Sequence, residues 1–516
     1  MINKDANQDE VIAFLSEPRS YGPGVDSVER HETHGAIVFL AGEHAYKLKR
    51  AVKFPYMDYS TVERRRDMCE RELAVNRRTA RELYLEVRPI VTDGGALRLG
   101  GPTESSETLD WVVVMQRFEQ DALLENFSRS GRLTAPLMCL VAEAVARLHA
   151  EAEVTSAFGG EHGLRTVIEG NIAILNQKAG NPFPAARIAD YGKAARGALS
   201  RVAGLLEERR QADCVRRCHG DLHLNNIFVR DRQPVLFDAI EFNDLFACID
   251  VLYDLAFLLM DLDQHGDREH ANRVFNRYLE RSNAHGGLAA MPLFLSCRAA
   301  VRAHTTAAKA DTRWDGDLKR SLLREAALLL DRALDDLADR APRLIAIGGL
   351  SGTGKSTLAY ALAPLLGACP GAVVIRSDVV RKQLLGVEDT TRLPQRAYTP
   401  AISKRVYDRV AEIASSTLAS GYAVIADAVY GKELEREQIA ETARQCGVEF
   451  SGLWLVGASA VLEQRIAARR GDASDATPEV LKAQLGFVTT PETWIAINAA
   501  TSAAESLAES RRLLRL

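Results

Sequence analysis

The sequence predicts two folded parts of different class: an α+β part over residues 1–340 and an α/β part with a parallel sheet over 341–516. Three patterns predict this. Residues 28–50, VERHETHGAIVFLAGEHAYKLKR, alternate apolar and polar side chains and are punctuated by Gly35 and Gly42, as consecutive antiparallel strands are. From 134 to 340, apolar residues recur at spacings of three and four, the period of amphipathic helices. After Pro342, strand-like runs alternate with helical ones, the mark of parallel strands joined by crossover helices.

Composition narrows the classes. At roughly 150 residues per domain, the chain amounts to about three structural units, or two if one is bilobal. Hydrophobic residues make up 47% and charged residues 26%, the balance of a folded globular chain. Gly and Pro are far below the roughly 25–30% of low-complexity proteins, which excludes extensive disorder. The net charge of −4 gives no global attraction to nucleic acid or an anionic membrane. The start, MINKDANQDEVIAFLSEP, carries acids where a secretion signal needs positive charge. The most apolar stretch, 252–262, is interrupted by Asp254 and Asp261, short of the roughly 20 residues of a membrane span. Of eight scattered cysteines only Cys214 and Cys218 are close, and they lack the second pair of a zinc site. Free thiols in a reducing cytoplasm are expected.

In chain order, the three strands of 28–50 are followed by a charged helix over 62–83 and strand pieces at 87–91 and 111–115. A small sheet with one inserted helix is expected over 25–118. A helical lobe follows over 119–340, beginning with the repeat Leu137, Leu140, Val141, Ala144, Val145, Leu148. Within it, 227–242 holds two strand-like runs about the turn cluster Arg230-Asp231-Arg232-Gln233-Pro234. A helix over 318–338 should stop before Pro342. The remaining expected strands are LIAIGG, VVIRSD, AVIADAV and GLWLVG, with helices between them, the first starting at Lys355.

Two segments carry chemistry. Gly349-Leu-Ser351-Gly352-Thr353-Gly354-Lys355-Ser356 fits G-x-x-x-x-G-K-[ST], with an apolar strand before it and a helix, including Thr357, after it. Its glycines let backbone amides curl around phosphate oxygens at a helix N-terminus. Lys355 would reach the terminal phosphates and Ser356 would ligate magnesium. Arg376-Ser-Asp378-Val-Val-Arg381 follows the next strand, so Asp378 stands at a carboxyl end facing the crevice. Asp378 could accept a hydroxyl proton or stand on the metal side, and Arg381 could orient an anion. Asp427 ends a further strand as a second carboxylate on the same rim. Arg465 and Arg469, one turn apart beside RGDASDA, suit a lid over phosphates. These residues resemble the small phosphate-loop kinases typified by polynucleotide kinase, gluconate kinase and zeta toxins. The resemblance covers 342–516 and implies Asp378 as base or metal-side carboxylate. No motif in 384–405 names the acceptor.

The second segment is His219-Gly-Asp221-Leu-His-Leu-Asn-Asn226, with the H-x-D-x-x-x-x-N spacing of kinase catalytic loops. Asp221 would orient and deprotonate an acceptor hydroxyl, and Asn226 would hold magnesium. Asp238, a hairpin later, takes the place of the second metal-binding acid, and His219 is read as a structural hydrogen-bonding residue. The H-G-D-L-H-x-x-N form and the later Asp254-Leu-Ala resemble the aminoglycoside phosphotransferase and choline-kinase-like group, which has a bilobal protein-kinase-like fold. That resemblance covers about 25–335 and places the adenine near 115–118, from Met115 to Phe118. In the third strand Lys47 is the first choice for the phosphate-gripping lysine and Lys49 the second. Glu72 is the better ion-pair partner and Glu70 the alternative. The usual glycine-rich loop is missing, and only Thr33-His34-Gly35 lies at the first hairpin.

The joined order resembles a bacterial family of bifunctional aminoglycoside phosphotransferase-like and P-loop, AAA-type ATP-binding proteins. The resemblance implies a cytoplasmic, ATP- or GTP- and Mg2+-dependent kinase acting on small hydroxylated molecules such as sugars, nucleosides or amino alcohols. Alternatives are a regulatory nucleotide-binding module gating the other, a true aminoglycoside-modifying enzyme using Asp244, Asp250, Asp261 and Asp263, or a polynucleotide 5′-hydroxyl kinase. Basic clusters such as Arg64-Arg65-Arg66 and Arg209-Arg210 lie among glutamates and read as solvated faces, with no aromatic spacing for base stacking. Nucleic acid and membrane are therefore not the expected partners.

Overall fold

The structure is a computed structural model that describes residues 8–54, 56–101, 106–311, 315–468, 474–486 and 491–516. Its contacts divide into two compact units, Met1–Leu164 with Leu206–Leu258, and Arg165–Leu205 with Leu259–Leu516. The boundary expected at 341 falls inside the second unit.

The first unit opens with helix α1 (Gln8–Ser16) and strands β1 (Val28–Glu32), β2 (Ala36–Ala41) and β3 (His44–Lys49). Helix α2 (Val62–Asn76) is inserted before β4 (Tyr84–Asp93), β5 (Ala96–Leu99) and β6 (Glu107–Gln116). The six strands form one antiparallel sheet in the order β1-β2-β3-β6-β4-β5. Val11 and Leu15 of α1 join Ile37, Phe39, Leu48 and Val112 in one apolar core. Alternation in β2 and β3 sends every second side chain into it.

Helix α2 starts where Thr61 accepts a hydrogen bond from the Arg64 amide, an N-cap. It ends at Asn76, well before the expected residue 83, because tertiary partners claim the next residues. The Asn76 side chain accepts from the Ala239 amide at 2.7 Å. Arg78 donates to the Arg217 carbonyl at 2.7 Å and Thr79 to that of Leu236 at 2.8 Å. The expected hairpin is present as β7 (Ile227–Arg230) and β8 (Gln233–Leu236). Its two turn residues, Asp231 and Arg232, both have positive φ, the two-residue turn whose twist matches its strands. Helix α3 (Ala135–Glu151) carries the repeat read from Leu137 to Leu148.

The second unit includes helix α4 (Arg268–Ser282), a packed helix pair (Met291–Asp311 and Gly316–Asp335) and a parallel sheet. The last of these helices ends three residues before the expected 338. The sheet strands are β9 (Arg343–Gly349), β10 (Val373–Arg376), β11 (Val424–Asp427), β12 (Glu449–Val456) and β13 (Ile495–Asn498). Their order is β10-β11-β9-β12-β13, and every pair is parallel. Ile345, Ile347, Ile425 and Leu453 are fully buried between helices, as expected for a sheet covered on both faces. Strand β13 went unread in the sequence.

Helix α4 lies along the outer edge of β10. Asn276 Oδ1 accepts from the Val374 amide at 2.7 Å, and Asn272 Nδ2 donates to the Ala372 carbonyl at 3.0 Å. Arg277 pairs with Asp389 at 2.5 Å, and Tyr360 donates to Glu280 at 2.9 Å. Among the described residues no helix is long and apolar enough to cross a membrane.

Candidate active sites

The first site forms where β3, α2, the loop leading into β7 and the segment following β8 converge. Lys47 Nζ lies 2.8 Å from Glu72 Oε1 and 2.6 Å from Asp238 Oδ1. Lys49, on the same face two residues later, lies 2.6 Å from Glu72 Oε2 and 2.5 Å from Glu241 Oε1. Glu72 is therefore shared by both lysines, whereas Glu70 pairs on the surface with Arg66. Lys47 is the lysine that reaches the cleft, with 15% of its side chain exposed against 2% for Lys49. Burial would lower the Lys47 ammonium, but Asp238 and Glu72 hold it well above the ordinary lysine value. Burial would likewise raise the Glu72 carboxyl, and the two lysines bring it down to about 2. Lys49 is held up in the same way by Glu241 and Glu72, so Lys47, Lys49 and Glu72 are charged at neutral pH.

The residues of the 219–226 loop stand close together. Asn226 Nδ2 donates to Asp221 Oδ2 at 3.0 Å and to the Asp221 carbonyl at 2.9 Å. With its nitrogen committed there, the amide oxygen is the atom Asn226 offers to a cation. His223 Nδ1 accepts from the Asn225 amide at 3.2 Å, which leaves the proton on Nε2, 3.3 Å from Asp221 Oδ2. Asp238 adopts φ +62°, a conformation that costs a non-glycine residue roughly 1–3 kcal/mol and is tolerated best by Asp and Asn. An oxygen-only set of Asp238 and Asn226 beside Lys47 suits a hard divalent cation with phosphate oxygens.

Asp254, fully buried, anchors this loop through its backbone. Its oxygens accept from the amides of His219 (3.0 Å) and Gly220 (2.9 Å) and meet His149 Nε2 at 3.0 Å. Gly220 has φ +84°, and a Cβ there would stand 2.8 Å from the Phe246 carbonyl, so glycine is required. His219 Nε2 donates to the Phe237 carbonyl at 2.9 Å, and burial lowers its pKa. It is neutral and held in place, as a structural residue would be. Cys218, not Cys214, comes within 4.8 Å of His149 and Asp254, but Asp254 is already engaged by two backbone amides.

Thr33 is turned inward on its hairpin, exchanging bonds with Ala36 N and O, and Gly35 abuts Met57. Met115 belongs to β6, while Phe118 stacks on Phe228 with ring centroids 4.3 Å apart. The four acids considered for a polycation all meet arginines: Asp244 with Arg71 and Arg217, Asp250 with Arg209, Asp261 with Arg302 and Asp263 with Arg332.

The second site lies at the carboxyl end of β9. Gly349, Gly352 and Gly354 all have positive φ, and a Cβ at Gly352 would meet the Leu462 carbonyl at 2.8 Å. The loop turns into helix α5 (Lys355–Leu362), with Thr357 exposed on its first turn. Lys355 Nζ donates to the Leu350 carbonyl at 3.1 Å. Ser356 Oγ donates to Asp427 Oδ2 at 2.5 Å, and Arg376 Nε stands 3.7 Å from the same oxygen. The Ser356 hydroxyl and Asp427 carboxylate are again hard oxygen donors suited to magnesium.

Asp378 opens helix α6 (Ser377–Leu384) after β10. Burial raises its pKa, Asp427 adds to the rise, and Arg376, Lys355 and a hydrogen bond from Ser474 oppose it. Arg381 does not point at an open anion site: it is buried, donates to the Ala397 carbonyl at 2.9 Å and lies 4.7 Å from the Tyr398 ring centroid. Arg465, on the helix Ser459–Ala468, donates to the Ala499 carbonyl at 2.8 Å. Arg469 lies outside the described residues. Three side chains from the segment after that helix reach the site. Ser474 bonds Asp378, Asp475 accepts from Tyr398 at 2.7 Å, and Gln484 accepts from the Ser351 amide at 2.9 Å.

Comparison with known proteins matches one family model to the segment bearing each site. A family model described as "Phosphotransferase enzyme family" matches residues 63–294, and one described as "AAA domain" matches 344–491. The protein Rv2004c of Mycobacterium tuberculosis, which carries the description "uncharacterized", is 30% identical over 466 residues, covering 88% of this chain and 89% of that protein. The chain belongs to the family that joins an aminoglycoside phosphotransferase-like domain to a P-loop ATP-binding domain. The Mycobacterium bovis protein Mb2027c matches over the same length with the same identity. Among solved structures, a choline/ethanolamine kinase family protein from Mesorhizobium loti aligns over 64% of this chain and 98% of its own, at 14% identity and TM-score 0.37. A gluconokinase from Sinorhizobium meliloti aligns over 34% of this chain and 95% of its own, at 24% identity and TM-score 0.25.

Sequence reasoning missed Glu241, His223 as a neighbour of Asp221, and the contacts made by Ser474, Asp475 and Gln484. The spacing Asp238-x-x-Glu241 was legible, but nothing local said that its acid would meet Lys49, 192 residues away.

Proposed function

We propose that each kinase-family module transfers the terminal phosphoryl group of ATP to a hydroxyl of a small molecule. The observation that carries this reading is a complete, self-contained set of groups at each site. In the first, Lys47 would grip phosphate, Asn226 and Asp238 would hold Mg2+, and Asp221 would take the acceptor proton. In the second, the corresponding groups are Lys355, then Ser356 with Asp427, then Asp378. Mg2+ bound with the nucleotide would neutralise charge on the phosphate oxygens.

The remaining work falls to the protein's own side chains. Asp221 is held by Asn226 and His223 with its carboxylate partly exposed, so an incoming hydroxyl can donate to it. Asp378, raised by burial, is closer to the pKa of an effective base than an exposed aspartate. Arginine neutralisation of Asp244, Asp250, Asp261 and Asp263 argues against a polycationic acceptor and for a neutral or weakly charged one.

The test uses the full chain carrying either Asp221→Asn or Asp378→Asn. Each is incubated with Mg-ATP and a panel of sugars, nucleosides and amino alcohols, and products are read by mass. Each substitution should silence one reaction and spare the other. If both abolish the same reaction in a folded protein, the two sites form one machine and the reading fails. Nucleotide binding without phosphorylation of any panel member or cell-extract metabolite would favour a regulatory module.

A further inference from the structure

Around Lys47 the charged groups close into a ring. Lys47 binds one oxygen of Glu72, and Lys49 binds the other. Lys49 continues to Glu241, which also accepts from the Tyr59 hydroxyl at 2.8 Å. Glu241 lies three residues after Asp238, and Asp238 returns to Lys47. Only Lys47 and Asp238 of this ring have substantial exposure, and both face the cleft, whereas Lys49, Glu72 and Glu241 are sealed from water. Lys49 also lies 4.9 Å from the Tyr59 ring centroid, so its ammonium is constrained on three sides.

A single lysine–glutamate pair would suffice to orient Lys47. The second pair is buried at a desolvation cost of several kcal/mol per ion that its own attraction only partly offsets, so it calls for a role beyond packing. Consider what happens when phosphate enters. Lys47 must turn from Asp238 toward the phosphate oxygens, and Asp238 must be released toward the cation. Glu72 then loses the support that Asp238 lent to its partner. Lys49 keeps Glu72 in place through the other oxygen, and Glu241 keeps Lys49 in register with the segment bearing Asp238.

We propose that Lys49 and Glu241 are positioning residues for the first phosphotransfer site: they hold Glu72 and the Asp238 segment fixed while Lys47 changes partners from carboxylate to phosphate. This rests on the reading of Lys47 as the phosphate-binding lysine. It predicts an effect on recognition of phosphate that reaches the nucleotide only through Lys47.

The experiment measures binding of Mg-ATP and of adenosine by calorimetry to the full chain carrying Lys355→Ala, so that the phosphate loop of the second site is disabled. In that background Lys49→Met should weaken Mg-ATP roughly 10- to 100-fold, the loss expected when a charge-assisted contact is misplaced, and leave adenosine affinity unchanged. Glu241→Gln, which preserves volume and an acceptor for Tyr59, should produce a smaller loss of the same kind and serves where Lys49→Met does not fold. With Lys47→Met already present, adding Lys49→Met should change the ATP-to-adenosine ratio no further, because the two act in series. Equal weakening of ATP and adenosine would show a merely structural pair and overturn the proposal, as would additivity with Lys47→Met or an unchanged ratio. If the Lys355→Ala parent binds no Mg-ATP, the functional reading itself falls, a result distinct from all of these.

Discussion

Asn276 is the side chain through which helix α4 completes the parallel sheet, and removing it should be felt at the candidate base. Strand β10 is the outermost strand, paired on one side with β11. On its other side Asn276 imitates a strand, accepting from Val374 N at 2.7 Å and donating to Ala372 O at 3.2 Å. In Asn276→Ala the Ala372 carbonyl keeps its bond from Asn272 at 3.0 Å. The Val374 amide, however, loses its acceptor in a buried position. An unsatisfied buried donor costs about 1–3 kcal/mol, and the second lost bond adds about 0.5–1.5. A destabilisation of about 1.5–4.5 kcal/mol of the second unit follows, equivalent to roughly 10- to 2000-fold faster exchange at Val374 where its amide opens by unfolding. Hydrogen exchange read on the peptide covering 373–376 measures this directly. Asn272→Ala, which leaves the Val374 acceptor intact, should give a smaller effect there. Because β10 runs into Arg376 and Asp378, turnover at the second site should fall with the lost protection. Unchanged exchange at Val374, together with an unchanged denaturation midpoint, would refute the claim that Asn276 acts as a surrogate strand.

Four further outcomes are expected. Asp238→Asn, which keeps a residue tolerant of positive φ, should lower magnesium-dependent turnover at the first site by more than the roughly 10–100-fold loss of metal affinity typical of outer-shell partners, with an unchanged melting temperature; a melt shifted by several degrees with normal turnover would contradict it. Asp221→Asn and Asp378→Asn should each cost about 10²–10⁴-fold in rate at their own site, read from initial rates with each acceptor. A fragment beginning at 342 lacks α4 and should melt below one beginning at 259 when both are followed by circular dichroism. Acid should destabilise the second unit. Burial lowers His285 and His304 from 6.5 to about 4, so between those values the unfolded chain binds protons that the folded chain refuses, and stability falls as pH falls. Asp336, raised to about 6 by burial, takes up a proton in the folded state first and opposes this below pH 6. Asp378, likewise raised by burial, opposes it too, and His304→Gln should lessen the acid loss in melts taken between about pH 6.5 and 4.

The sequence by itself determined the parts whose chemistry is local. A phosphate loop is contiguous because neighbouring amides must share one anion, and so Gly349 to Ser356 could be read with its strand and helix. The same holds for Asp221 and Asn226, which a single loop brings together, and for the 227–236 hairpin, whose turn residues set its register. Antiparallel neighbours in 28–50 and the strand–helix alternation after 342 were legible because period and punctuation are local properties. What only the tertiary structure decided are the pairings between distant residues. Lys47 and Lys49 are equivalent in a strand pattern, and only the packing of α2 and the Asp238 segment exposes one and seals the other. Helix α2 stops at Asn76 because Ala239 claims the Asn76 side chain and Arg217 and Leu236 claim Arg78 and Thr79, a competition invisible in its own periodicity. Arg381 reads as an anion ligand by its place after Asp378, yet the 397–403 segment folds over it. The edge of β10 is covered by α4 from before Pro342, since a buried amide must find a partner wherever the chain can supply one.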